Sequence, residues 1–527
     1  MKKRTIKIYD TTLRDGAQTL GVSFSVKDKL SITEKLDDLG IHFIEGGWPG
    51  SNPKDIDYFK KSKSLKLKNS QLVAFGSTRR AKIKANVDGN LKALLKSEVK
   101  NIAIFGKSWD LHVSKVFKVA LEENLDMIFD SISFLKKKGC FVFFDAEHFF
   151  DGYKANRDYA LESLKIAKSA GADCLVLCDT NGGMIPSWVR DIVLDVRSEL
   201  DIDLGIHVHN DSGMAVANSI VAVECGVTNV QGTINGYGER CGNADICSLI
   251  PNIKLKLKLD CISDAKIKRL TEVSHFVSDV SNMKQFENQP YVGSSAFAHK
   301  GGVHINAVMK ESSTYEHINP ESVGNRRELL VSELSGKSSL VLKAQEYGHK
   351  IQKDKNVTGK LHKLLQGLEH EGYHFEAAEG SFELLLNKHL KKFKKFFTLE
   401  GFRVIVEQEN KNEIVSEATI KLKVNNKKEH AVAKGDGPVN ALDSALRKAL
   451  NRFYPVLSEM KLSDFKVRVL DEKDGTAAKV RVLIQSQDRE SSWNTIGVSE
   501  NIVEASWKAL LDSVEYKLMK ELKRGRI

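Results

Sequence analysis

The chain contains no run approaching eighteen uncharged apolar residues, so no membrane-crossing helix is expected. It has no CxxC pair, and its seven cysteines all fall between Cys140 and Cys261. An odd, clustered set argues against a disulfide framework and for reduced, mostly buried thiols, as expected of a cytoplasmic protein. No zinc-finger or RNA-recognition pattern occurs. The first expected strand begins at residue 6, so no signal or transit segment is expected before it. Charge is lopsided only mildly: 80 Lys and Arg against 69 Asp and Glu give +11. Lysines gather in KKSKSLKLK (60–68) and KHLKKFKKFF (388–397), which read as solvated helix faces. Neither nucleic acid nor membrane is expected as a partner. A mildly basic surface would suit an anionic substrate or a phosphate-bearing one.

What is present is a long soluble-type composition, 527 residues with 41% hydrophobic and 28% charged, enough for two or three domains. Apolar runs alternate with helical periods. Strands are expected at Ile6–Tyr9, Phe43–Gly46, Leu72–Phe75, Ile102–Phe105, Phe141–Phe144, Cys174–Cys178, Gly205–Val208 and Val230–Ile234. Between them, segments such as VKDKLSITEKLDDLG place Leu30, Ile32, Thr33 and Leu36 near one face and stop at Gly40. Eight strand–helix units in about 250 residues are the arithmetic of a (β/α)8 TIM barrel. Domains are expected at 1–275 (barrel), 276–395 (a small, helical linker region that contributes to the active site) and 396–527.

In that fold chemistry gathers at the C-terminal strand ends, and here those ends are polar. Strand one leads to Arg14, Asp15 and Gln18, strand two carries Glu45, and strand five ends at Asp145, Glu147 and His148. Strand six leads to Asp179, Thr180 and Asn181, strand seven carries His207 and His209, and NGYGERCGNAD follows strand eight. Two histidines two apart on a strand leave on the same face. With Asp15, two strands further round a closed barrel, they form a mixed N/O set for a divalent metal: Mg, Mn or Zn. Arg14 would face the same substrate, where a cation beside a metal steadies charge on a carbonyl oxygen. Gly16 would let the backbone turn tightly out of the strand.

DTTLRDGAQ (10–18), HVHND (207–211) and GERCGNAD (238–245) resemble the DRE-TIM metallolyases, in the branch that condenses acetyl-CoA with 2-oxo acids. That branch includes the 2-isopropylmalate, homocitrate and citramalate synthases. The likeness extends through AFAHKGGVHINAV (296–308), TYEHINPESVGNRRELLVSELSGKS (314–338) and GDGPVNALDSALR (435–447). The resemblance implies Asp15, His207 and His209 as metal ligands, with Asn243 as a fourth. It implies that Arg14 polarises a keto oxygen, that Thr180 holds a carboxylate, and that Glu147 lies near the acetyl group. Gln18 and Trp48 join the implied substrate site. His304 and Tyr315 are implied as a catalytic pair supplied from beyond the barrel; the identity of the base stays open among these groups.

Where isopropylmalate-forming members read like EAGFP, this chain has EGGWPGSNPKD (45–55), closer to citramalate-forming members. Trp48, Phe75 and Phe105 near the mouth would suit the methyl group of pyruvate. The expected reaction is a metal-dependent Claisen condensation of acetyl-CoA with pyruvate and water to citramalate and CoA, toward isoleucine. Its alternative uses 2-oxoisovalerate, toward leucine. The tail repeats an order of three strands and a helix, with Gly435 and Gly437 aligning roughly with Gly497. Glycines before a helix N-terminus let N–H groups approach an anion. By resemblance, Gly435, Asp436, Gly437 and Pro438 belong to an α+β regulatory domain that binds isoleucine and pairs two chains into a homodimer.

Overall fold

The structure, a computed structural model, describes residues 4–329, 344–345, 347, 355–410, 413–470 and 478–527. Part of the linker region and the 330–338 end of one expected motif therefore lie outside the described residues. The chain divides into two units. One comprises Met1–Phe297 with Glu316–Arg327, the other Ala298–Tyr315 with Glu328–Ile527.

The first unit is a closed barrel of eight parallel strands: β1 (Lys7–Asp10), β2 (Phe43–Gly47), β3 (Gln71–Ser77), β4 (Asn101–Lys107), β5 (Phe141–Glu147), β6 (Cys174–Asp179), β7 (Leu204–Val208) and β8 (Asn229–Gly232). Closure is made by β1 against β8, with Tyr9 opposite Gln231 and Asp10 opposite Gly232. Side chains alternate along each strand. One set, including Tyr9, Phe43, Val73, Phe143 and Val176, fills one apolar cluster. The other set, including Ile8, Ile44, Ala74, Ile104 and Phe144, joins the larger cluster with the helices.

Helix α1 (Val26–Leu39) shows why these segments fold locally as they do. Ser25 caps it in a reciprocal box with Asp28, and Gly40 ends it with a left-handed φ of 91°. Its inward face is Lys29, Ile32, Thr33 and Leu36, whereas Leu30, expected there, is only partly buried. Lys29 takes the inward place because its ammonium donates to Gly46 O at 3.0 Å and pairs with Asp55.

Three further expectations are corrected. Strand β8 stops at Gly232, because Ile234 enters a turn in which Asn235 has a φ of 63°. Residues 391–397 are not helical; the helix Glu379–His389 ends before most of those lysines, and Phe396 and Phe397 turn inward. Gly16 has no left-handed φ, and a Cβ there would meet neighbours at 3.5 Å, an ordinary contact. The turn out of β1 is made instead by Thr11 O, which accepts from the amides of Arg14, Asp15 and Gly16.

In the second unit β9 (Ala298–His299) and β10 (Glu328–Leu329) pair in parallel. Strands β11 (Thr398–Asn410), β12 (Glu413–Val424) and β13 (Lys427–Gly435) form an antiparallel sheet followed by the helix Pro438–Leu450. Strands β14 (Lys461–Val469), β15 (Val480–Gln487) and β16 (Ser492–Ser499) repeat that order before the helix Ile502–Lys523. Alternate residues Ala418, Ile420 and Leu422 of β12 pack with Ala441, Leu442 and Ala445 of the first helix. The equivalent glycines are Gly435 and Gly497. A Cβ would meet Ala441 N at 2.5 Å in the first and Ala505 O at 2.0 Å in the second, so each lets its helix lie tight on the sheet.

Candidate active site at the barrel mouth

The turn after β1 carries Asp15 to His207 of β7 and His209 just past its end, and their ligand atoms all lie within 4.8 Å of one another. All three side chains are buried. His207 Nε2 stands 3.2 Å from Asp15 Oδ2, and His207 Nδ1 meets Gln231 Oε1 at 2.9 Å. A proton on Nδ1 would leave the Nε2 lone pair facing Asp15. His209 forms an isolated antiparallel bridge with Asn243, which brings that residue alongside. Asp15 Oδ2, His209 Nδ1 and Asn243 Oδ1 are buried without a hydrogen-bond partner among the described residues. Buried polar atoms are seldom left so, and the convergent Asp15–His207–His209 donor set fits a divalent cation.

Burial alone would push the Asp15 carboxyl up, but the Arg14 charge and the two imidazoles hold it well below the usual carboxylate range. Burial opposes a charge on His207, and Asp15 more than offsets it, so its pKa rises. Burial and the neighbouring His207 lower His209 to about 4.

Arg14 projects into the same space. Its Nε donates to Glu45, its guanidinium lies 3.8 Å from the centre of the Phe75 ring, and Nη1 is 3.4 Å from Asp15. Glu45 is fully buried and also accepts from Tyr9 Oη at 2.8 Å. Burial would weaken the guanidinium's hold on its proton; Glu45 and Asp15 outweigh that and keep it charged. Asp145, on the adjoining wall, is pushed up to about 7 by burial and by Glu45, and its Oδ1 has no hydrogen-bond partner among the described residues.

Arg14, Asp15, Gln18, Trp48, Glu147, Thr180, His207 and His209 line one cavity of about 250 Å³. Glu147 pairs with Lys107 Nζ. Thr180 Oγ1 accepts from the His148 amide at 2.8 Å, and Thr180 O accepts from Arg240, which also grips Asp211. Trp48 meets Phe75 and Phe105 edge-to-face at 5.6 and 5.7 Å. His304 and Tyr315 belong to the other unit, where their exposed rings stack with centroids 4.2 Å apart. There, too, Gly435 ends β13, the Asp436 amide donates to Asn440 Oδ1 at 3.2 Å, Gly437 caps the helix and Pro438 opens it.

Sequence reasoning did not single out Lys107 or Arg240. Arg240 stood inside GERCGNAD, a usable signal; Lys107 had only its place at the end of β4.

Comparison with known proteins gives a consistent result. Residues 5–277 match the HMGL-like family, 291–366 the homocitrate synthase post-HMGL domain-like family, and 376–518 the LeuA allosteric (dimerisation) domain. The chain is 55% identical over 516 residues to an (R)-citramalate synthase of Geobacter sulfurreducens, covering 98% of each. It is 53% identical over 522 residues to an (R)-citramalate synthase of Aquifex aeolicus, covering 99% of each. A 2-isopropylmalate synthase of Methanocaldococcus jannaschii is 32% identical over 522 residues, with 98% of this chain and 96% of that one covered.

Proposed function

The chain belongs to the HMGL-like family, and on that premise we propose that it condenses acetyl-CoA with pyruvate and water to give (R)-citramalate and CoA. The observation that carries this reading is the convergence of the Asp15, His207 and His209 ligand atoms, beside Arg14, on one cavity, in a chain like citramalate synthases along its length.

Asp15, His207 and His209, with Asn243, would hold the divalent cation, which when bound supplies Lewis acidity toward a chelating 2-oxo acid. Arg14 directs its charge at the keto oxygen, where negative charge grows as the new carbon–carbon bond forms. Its ties to Glu45 and Phe75 fix that aim before substrate arrives. Thr180 Oγ1 already accepts from a backbone amide, so its hydroxyl proton is free to meet the acid's carboxylate. Gln18 completes the polar wall. The methyl proton of acetyl-CoA passes to a base drawn from Glu147 and the His304–Tyr315 pair. Water then cleaves the thioester, giving the free carboxylate and CoA thiol.

The aromatic wall of Trp48, Phe75 and Phe105 favours the methyl of pyruvate over a branched chain. Residues 1–275 perform this chemistry, 276–395 supply the His304–Tyr315 pair, and 396–527 form the regulatory and dimerising part. The effector of that part is isoleucine, the expected end product, bound near Gly435–Pro438, and the enzyme works as a cytoplasmic homodimer. No helix among the described residues is long and apolar enough to cross a membrane.

CoA-thiol release from acetyl-CoA, measured with pyruvate, 2-oxoisovalerate and 2-oxoglutarate before and after chelation, tests the reading. Metal-dependent release with at least tenfold preference for pyruvate is expected. Preference for 2-oxoisovalerate would transfer the chain to the isopropylmalate reaction and leucine.

A further inference from the structure

Trp48 lies in the loop between β2 and the helix α2 (Pro53–Ser62), a stretch where an indole would ordinarily be free to swing. Here it is held at two points. Its backbone amide donates to Asp55 Oδ2 at 2.9 Å, and Asp55 is fixed in turn by the buried Lys29 ammonium. Its indole Nε1 donates to Asn90 Oδ1 at 2.7 Å. Asn90 opens the helix α3 (Gly89–Lys96), one residue after its first position, and its Nδ2 donates to Ser77 O at 2.7 Å, at the end of β3.

The amide of Asn90 thus uses both of its ends. It accepts from the β2 loop and donates to the strand that carries Phe75. With the indole so fixed, its edge faces both Phe75 and Phe105, whose rings stack on each other 5.6 Å apart at 24°. Phe75 in turn carries the Arg14 guanidinium on its face. Asn90 does not line the cavity.

We propose that Asn90 is a positioning residue for substrate choice: by clamping the Trp48 indole across Phe75 and Phe105 it sets the length of carbon side chain a 2-oxo acid can bring into the cavity. This rests on the reading that Trp48 bounds the side-chain pocket of a 2-oxo acid. Loss of the acceptor leaves a part-buried indole N–H without a partner, which is costly enough to turn the ring toward water. The wall then moves without any change in the groups that meet the keto oxygen. A one-methylene difference in an apolar pocket governs about 10- to 200-fold in kcat/KM, so the effect is readable.

The experiment uses the full chain with pyruvate, 2-oxobutyrate and 2-oxoisovalerate, in Asn90→Leu, Asn90→Asp, Trp48→Ala, Trp48→Phe and Trp48→Phe/Asn90→Leu. Asn90→Leu should lower the kcat/KM preference for pyruvate over the longer acids about tenfold, chiefly through KM. Asn90→Asp, which keeps the acceptor for the indole but loses the donor to Ser77 O, should shift selectivity less than Asn90→Leu does. In the Trp48→Phe background, where no indole N–H remains to be held, Asn90→Leu should alter selectivity by less than twofold. An equal loss on all three acids would reduce Asn90 to a structural part and overturn the proposal. So would unchanged selectivity in Asn90→Leu beside a large shift in Trp48→Ala, which leaves the pocket reading intact. If Trp48→Ala leaves selectivity unchanged as well, the pocket reading itself is at fault.

Discussion

The barrel mouth and the last helix of the second unit both bury charge, and they do so to opposite ends. At the mouth, Asp145, His209 and Asn243 each keep a buried polar atom that, among the described residues, has neither a hydrogen-bond nor an ion-pair partner. In the helix Ile502–Lys523, the fully buried Lys517 ammonium is met by Asp488 and Glu521, both at 2.9 Å, and Asp488 is also met by Lys520 at 2.8 Å. An unfinished set of buried groups is a place for a ligand. A finished one is a clamp, since removing either partner strands the other in a poor solvent for charge. The difference is in completion, not in the amount of charge.

The sharpest way to break the comparison is Asp15→Asn. If the mouth is an unfinished donor set, turnover should fall by about three orders of magnitude, within the range seen when a group of the reacting site is lost. Affinity for Mn²⁺ or Zn²⁺, read by calorimetric titration of the metal alone, should drop about 10-fold or more. Unchanged metal affinity would remove Asp15 from the set. At the other pole, Lys517→Met should destabilise the second unit by about 3 kcal/mol, read as a shift of its unfolding transition. A neutral outcome would mean that the acids there accommodate without their cation.

The smallest effect is one of pH. Asp145 is pushed up to about 7 in the fold by burial, so between about pH 4 and 7 the folded state keeps a proton that the unfolded chain gives up. Its contribution to stability therefore falls as pH rises through that window. With chelator present, Asp145→Asn should gain on the parent progressively from pH 4 to 7. Asp488 runs the other way. Burial would raise it, yet Lys520 and Lys517 hold it below the usual carboxylate range, so its contribution is present above about pH 4 and is lost only below. A flat difference between parent and Asp145→Asn from pH 4 to 7 would show that Asp145 ionises normally.

Much of this was legible in the sequence, and the reasons are physical. Most of the eight strands could be placed because they are buried apolar runs ending in polar residues, and the βββα repeat because period-two alternation differs so plainly from helical spacing. The His207–His209 spacing needs only the strand's two-residue period to put both rings on one face. What stayed hidden depends on partners distant in sequence. Lys29 reads as a solvated lysine until Gly46 O and Asp55 are found beneath it. The Phe396–Phe397 end of the lysine-rich stretch reads as helix until the core of the second unit is seen to take both rings. Asn90 looks like an ordinary N-terminal helix residue 42 positions from the indole it holds.

The closure of β1 on β8 has a consequence for how the chain comes into being. Asp15 leaves the ribosome early, whereas His207, His209 and Asn243 follow only after nearly all the other strands have been made. Strand β1 finds its second neighbour only once residues 229–232 have emerged. A nascent chain halted just before that point would carry three of the four donors, lacking Asn243, with its first strand unpaired on one side, an exposed edge of the kind that invites association. Joining the ends of the sheet and assembling the donor set are thus one event. Affinity for a divalent ion would therefore report completed translation of the barrel as well as competence for catalysis.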